Sequence, residues 1–203
     1  MEVIEAIQKR RSIRHFKPDP VPDDLVRKLL DAARLAPSGG NCQPWKFIIV
    51  SNPETRVELA CACTYSTPRD ENIYQRWIAD APVVIVACGY EREATVRYYD
   101  GDRVIIGDWV DFARQMEKGP VNYESELLID LAIALDHLSL AAVEQGLGTC
   151  WVGGVDEKRI KQILDVPQDM RTPGLMALGF PDKLPDPRPR KSLEEIVYYE
   201  KYH

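Results

Sequence analysis

The stretch ESELLIDLAIALDHLSLAAVEQGLGTCWVGG, Glu124 to Gly154, organises the reading of the whole chain. As far as Gln145 its apolar residues recur at helical spacing. Leu127, Leu128, Leu131, Ile133, Ala134, Leu138 and Ala141 crowd more than one face, which predicts a long helix buried centrally in the fold. Gly146 and Gly148 end it. The following Gly148-Thr149-Cys150-Trp151-Val152-Gly153-Gly154 reads as a glycine-rich turn with accessible backbone N–H groups. Its glycine spacing is wrong for a dinucleotide fingerprint, and the chain contains no phosphate-binding P-loop.

Outward from that helix, Phe47 to Val50 and Val83 to Ala87 are short apolar runs with β-branched residues, expected as buried strands. A short amphipathic helix is expected at the start, with Val3, Ile4 and Ile7 on one face and Lys9-Arg10-Arg11 at its end. Asp23-Asp24 open a second helix, in which Leu25, Val26, Leu29, Leu30 and Ala33 repeat; it stops near Pro37-Ser38-Gly39-Gly40. Helices over Glu54 to Cys63 and Asp156 to Leu164, and a strand over Gly174 to Phe180, complete the pattern. The tail, Ser192 to His203, is expected to start helical and finishes in a run with Tyr198, Tyr199 and Tyr202. Glu91 to Tyr123 is mixed in character; it can hold a helix around Asp108 to Glu117 and is a lid candidate. Strands and helices interleave without a strict βαβ rhythm, which points to α+β with a central mixed sheet. The 203 residues suit one domain, or one protomer of an intertwined dimer.

Composition narrows the function classes. A chain 45% hydrophobic and 29% charged is expected to fold, and a net charge of -6 disfavours nucleic acid as a partner. The longest apolar run, Ala81 to Cys88, is too short for a bilayer, and Met1 to Arg14 lacks the apolar core of an export signal. Five cysteines, an odd number, do not form a disulfide framework, so a cytoplasmic protein with reduced thiols is expected.

Two clusters suit a phosphate. Arg10-Arg11-Ser12-Ile13-Arg14 sets three guanidinium forks and a hydroxyl at one helix end, and Arg188-Pro189-Arg190-Lys191 lies near the other terminus. Each has a plainer interpretation: the first as charges complementing the negative end of a helix, the second as a solvated tail. If the fold joins them, they can hold one phosphate. The loop Ala36 to Trp45 carries Ser38, Gly39, Asn41 and Gln43; amides suit a heteroaromatic edge and glycines let a backbone approach it, although an ordinary connection is the alternative. His15, His137 and His203 are scattered, and no serine or cysteine stands in a nucleophile elbow. Cys61-Ala62-Cys63 has too few neighbouring ligands for a metal and reads as packed thiols. Tyr98, Tyr99, Trp109 and Phe112 can line a pocket or fill a core.

Taken in order, these pieces resemble the nitroreductase family of flavoproteins. The matching residues are Arg10 to Arg14, Pro37 to Phe47, Gly146 to Trp151 with Gly153-Gly154, and Ala177 to Pro181 followed by Arg188 to Glu195. The resemblance implies a nitroreductase-like fold, an intertwined homodimer and FMN in a cleft between subunits, with NADH or NADPH as electron donor. By position it implies that Arg10 and Ser12, with Arg188 and Arg190, meet the FMN phosphate, that Arg11 is among the cofactor-binding residues, and that Arg14 sits by the pyrimidine end of the flavin. Pro37, Ser38, Gly39 and Asn41 would come from the partner subunit, Gly153 and Gly154 would offer N–H groups to the ring, and Gln75 would stand nearest its polar edge. Cys42 departs from the usual small residue, and Gly153 stands where some relatives are acidic.

The implied reaction is ping-pong hydride transfer from NAD(P)H to a small acceptor such as a nitroaromatic or a quinone, with no side chain acting as acid or base in the first half. The alternatives are a dehalogenase or flavin-degrading enzyme of the same fold, a non-catalytic FMN-binding protein, and an interaction domain without cofactor.

Overall fold

The computed structural model describes residues 1–63, 75–94, 97–100, 103–106 and 123–202. Along the described chain run α1 (Val3–Lys9), α2 (Asp23–Arg34), β1 (Trp45–Val50), α3 (Pro53–Cys61), α4 (Arg76–Asp80), β2 (Val83–Gly89), β3 (Arg97–Asp100), β4 (Arg103–Ile106), α5 (Tyr123–Glu144), β5 (Gly148–Val152), α6 (Glu157–Leu164) and β6 (Arg171–Gly179).

An unbroken apolar sequence makes a strand that must be covered on both faces, and every residue of β2 is buried. Its side chains alternate. Val83, Ile85 and Ala87 join α2 and α5 in one core with Leu29, Leu131, Leu135 and Leu138. Val84, Val86 and Cys88 join α3, α4 and α6 in a second core with Leu59, Ile78 and Ile160. The sheet, in the order β1-β2-β6-β5, therefore lies between two helical layers, an α+β architecture. Its four strands pair antiparallel throughout, which corrects the expected mixed sheet. Among the described residues the one parallel pairing is an isolated bridge, Ser12 to Thr149, at the β5 edge. β3 and β4 form a separate antiparallel ribbon. The helix considered for residues 108–117 lies outside the described residues.

Local chemistry sets several boundaries. Asn52 caps α3, its side chain accepting Thr55 N–H at 3.0 Å, and Pro53 follows at the first helical position. Asp156 caps α6 through Arg159 N–H at 3.1 Å.

The short helix expected at the start is α1; its apolar face, Val3, Ile4 and Ile7, is exposed and only Ala6 is buried. Three further expectations need correcting. The long helix is α5 as expected, yet its second apolar face, Leu128 and Ile129, stays open to solvent. Residues 148–152, read as a turn, form β5. Their β-branched and aromatic side chains were masked by bracketing glycines, and Thr149, Cys150 and Val152 are in fact buried. The tail holds one turn, closed by the bond from Val197 N–H to Leu193 C=O, rather than a helix; its described residues are exposed, so no packed apolar face stabilises one.

Candidate functional site

The N-terminal basic cluster is fastened to the sheet by its one apolar member. Ile13 is buried, and its N–H donates to Thr149 C=O at 2.9 Å. Gly148 makes room: a Cβ there would lie 2.4 Å from Ile13 Cγ1, so only glycine allows this approach. Around that anchor Ser12 stays half-buried and Arg14 exposed. Arg11 behaves in part as the plainer interpretation has it. Its Nη1 donates to Gln8 C=O at 2.6 Å and to Arg10 C=O at 2.8 Å, the carbonyl end of α1.

The far end of the chain returns to this segment. Lys17 N–H donates to Phe180 C=O and Asp182 N–H to His15 C=O, both at 2.9 Å. These bonds lay the proline-rich strap, residues 183–190, along Arg10 to His15. The two basic clusters thereby meet: Arg10, Arg11, Ser12, Arg14, Arg188 and Arg190 line one cavity of about 660 Å³. A neighbouring cavity of about 610 Å³ shares Ser12, Arg14 and Arg188 and adds His15 and Lys183. A smaller one, about 310 Å³, sets Arg10 and Ser12 beside Thr149 and Trp151 of β5 and Ser139 of α5. Trp151 is thus a site neighbour that the sequence alone did not reveal.

Arg14 is steadied from below. Its guanidinium carbon lies 5.5 Å from the ring centroid of Trp77, within cation–π range. Trp77 belongs to α4, which begins directly after Gln75, so Gln75 stands in the same quarter; its Nε2 donates to Cys63 C=O at 3.1 Å. Gly153 and Gly154 run on from β5 and are exposed.

The Pro37 to Gln43 loop lies apart from these three cavities. Gly40, Asn41 and Gln43 have φ of 52°, 55° and 50°, the left-handed region that non-glycine residues seldom occupy. The loop is braced by Ser38 Oγ, which accepts Gln43 N–H at 2.9 Å, and by Asp130 of α5, which accepts Gly39 N–H at 3.2 Å. Burial raises the Asp130 carboxyl above the usual carboxylate range, and the Gly39 N–H partly offsets this. The described chain therefore brings Arg10, Arg11, Ser12, Arg14, Arg188 and Arg190 together and leaves Pro37, Ser38, Gly39 and Asn41 elsewhere.

Comparison with known proteins gives consistent matches. The model of the nitroreductase family matches residues 7–180. An NADH dehydrogenase of Thermus thermophilus is 32% identical, covering 96% of this chain and 94% of that protein. An iodotyrosine deiodinase of Thermotoga neapolitana is 25% identical over 94% of this chain and 92% of its own length. Among solved structures, a nitroreductase family protein of Clostridium novyi superposes with a TM-score of 0.70 at 31% identity, covering 90% of this chain and 86% of that one. The NADPH:FMN oxidoreductase of Vibrio harveyi, solved with NAD+, shares the fold at a TM-score of 0.75 and 23% identity, over 99% of this chain and 78% of that one.

Proposed function

The chain belongs to the nitroreductase family, and from that premise we propose that it is an FMN-dependent oxidoreductase that takes hydride from NADH or NADPH. The observation that carries this reading is the meeting of Arg10, Ser12, Arg188 and Arg190 around one cavity of about 660 Å³. The charged side chains lining it are cationic apart from Asp186, a donor set that fits a phosphate monoester. FMN held there would supply hydride chemistry linking the nicotinamide donor to a small acceptor such as a nitroaromatic or a quinone.

The chain's own residues bind, orient and polarise. Arg10, Ser12, Arg188 and Arg190 hold the phosphate, and Arg11 adds positive charge while closing the end of α1. Arg14, held against Trp77, would offer the flavin a cation that favours its reduced, more negative form. Gly153 and Gly154 would offer N–H groups to the flavin, and Gln75 would add its amide. Pro37, Ser38, Gly39 and Asn41 come from a second subunit, so the active form is a homodimer. Residues 1–203 form one FMN-binding domain; the lid considered for residues 91–123 lies largely outside the described residues. Among the described residues no helix is long and apolar enough to cross a membrane.

The purified protein is expected to be yellow and to oxidise NAD(P)H in the presence of an acceptor. Arg190→Ala removes one charge-assisted phosphate contact, worth about 1.5–3 kcal/mol, and should weaken FMN accordingly in a fluorescence titration. An unchanged affinity removes Arg190 from the site. The deiodinase relative favours a second reading, reductive dehalogenation in the same site. Rapid bleaching of the bound flavin by NAD(P)H without a second protein argues against it and against a flavin-degrading role. A flavin-loaded protein that oxidises no NAD(P)H with any acceptor is instead a carrier.

A further inference from the structure

We propose that Glu91 and Glu93 are positioning residues: paired with Arg171 and Lys46, they fix the course of the β3–β4 ribbon against the Gly39–Asn41 turn and so shape a wall of the acceptor site. This rests on the reading above, in which that turn reaches the flavin of a second subunit. The first support is where the two cations stand. β2 ends at Gly89 with β1 on one side and β6 on the other. In the register Lys46 of β1 lies opposite Cys88, and Arg171 of β6 lies opposite Gly89. The chain therefore leaves the sheet between two cations, and just beyond it offers carboxylates two positions apart. Arg171 Nη1 donates to Glu91 Oε1 at 2.5 Å, and Lys46 Nζ donates to Glu93 Oε2 at 2.7 Å. One carboxylate goes to each side, so the Glu91–Ala94 turn is held from both neighbours of β2. Arg171 is itself fixed by Glu157 of α6, which accepts its Nη2 at 2.8 Å and Thr172 N–H at 2.9 Å.

The second support is what this segment touches. A Cβ on Gly89 would come within 2.6 Å of Leu127 Cδ1 and 2.8 Å of the Pro44 carbonyl oxygen, so the exit from β2 is pressed against the end of the Pro37 to Pro44 loop. The Glu91–Ala94 turn packs on α5 with Ala94 buried, and β3, beginning at Arg97, lies against Gly39–Asn41. The segment thus meets the loop before and after the two ion pairs. The third support is their exposure. The four side chains are 28% to 48% exposed, and pairs so open to water add little to global stability. What they set is direction.

The test uses the flavin-loaded enzyme with Glu91→Gln and Glu93→Gln combined. Asp31→Asn, which breaks the exposed pair with Arg34 on α2, is the control. Tm, amide hydrogen exchange at residues 39–41, and kcat and KM for 1,4-benzoquinone with saturating nicotinamide donor are read. The double variant should melt with the control and exchange faster at 39–41. Its KM should rise about fivefold, the upper range for loosening surface pairs, with kcat and flavin content held. Lys46→Glu alone should raise KM, and adding Glu93→Lys should bring it back. Unchanged exchange and KM overturn the proposal, as does faster exchange with KM unmoved. A Tm below the control, with a KM rise that the charge swap does not reverse, assigns the pairs to general stability and overturns it too. A wild-type protein that binds no flavin refutes the underlying reading instead, and the exchange comparison then still decides whether the pairs hold the turn.

Discussion

Asp130 is a carboxylate 5% exposed on a helix otherwise packed with leucine and alanine, and its recorded hydrogen bond comes from Gly39 N–H. Burial disfavours its charged form, so the folded chain holds the proton more tightly than the unfolded chain does. The sign follows by linkage. Stability falls as pH rises from the ordinary carboxylate range through the raised folded value, and the cost is complete near neutrality. Asp130→Asn keeps an acceptor for Gly39 and removes the charge, so it should melt higher than wild type near neutral pH, with the gap closing in acid. Parallel melting profiles across that range would show that the carboxylate carries no penalty. Asp130→Ala removes one of the loop's two braces and should lower flavin content at any pH, because Ser38, Gly39 and Asn41 are then held less firmly.

At the scale of elements, β5 matters more to the site than its five residues suggest. It anchors Ile13, exposes Trp151 beside Arg10 and Ser12, and delivers Gly153 and Gly154 at its end. Gly148→Ala would place a methyl 2.4 Å from Ile13 Cγ1 and 2.9 Å from Ile13 Cβ, a buried branch point with nowhere to go. Overpacking of this kind costs about 1–3 kcal/mol. The variant should show a lower Tm and a parallel loss of flavin; a lowered Tm with full flavin would mean that the arginine segment does not depend on this anchor. β1, β2, β6, α2 and α5 were legible in the sequence because apolar periodicity reports burial directly. β5 was not, because glycine lowers every strand signal while serving close approach, and α4 is too short to show a period. The two arginine clusters that meet in one cavity were legible as a pair because a donor set for phosphate calls for that residue type. Trp77, Trp151 and Asp130 were not, since their roles exist only where segments distant in sequence meet.

For the whole molecule, the apolar surface left in water is the telling quantity. Val3, Ile4 and Ile7 on α1, Leu128 and Ile129 on α5, and Leu193, Ile196, Val197 and Tyr199 in the tail are all exposed. At about 25 cal/mol per Å² of apolar area, a subunit interface over these surfaces would be strongly favoured, and monomers seldom leave such patches open. Light scattering should therefore give twice the 23.1 kDa of one chain. The double substitution Ile4→Asp with Ile7→Asp should yield monomers that have lost flavin as well. A monomeric wild type with full flavin would sink the two-subunit site while leaving the arginine cavity standing.

The strap that carries Arg188 and Arg190 has a proline at 185, 187 and 189, every second position. Each ring fixes one backbone torsion and pushes the residue before it toward extension. Much of the wandering that a free tail would surrender when it grips a ligand is thus already forbidden to the unliganded chain. If the strap does hold the proposed phosphate, part of that affinity is written into covalent stiffness, where no catalogue of contacts with the ligand would find it.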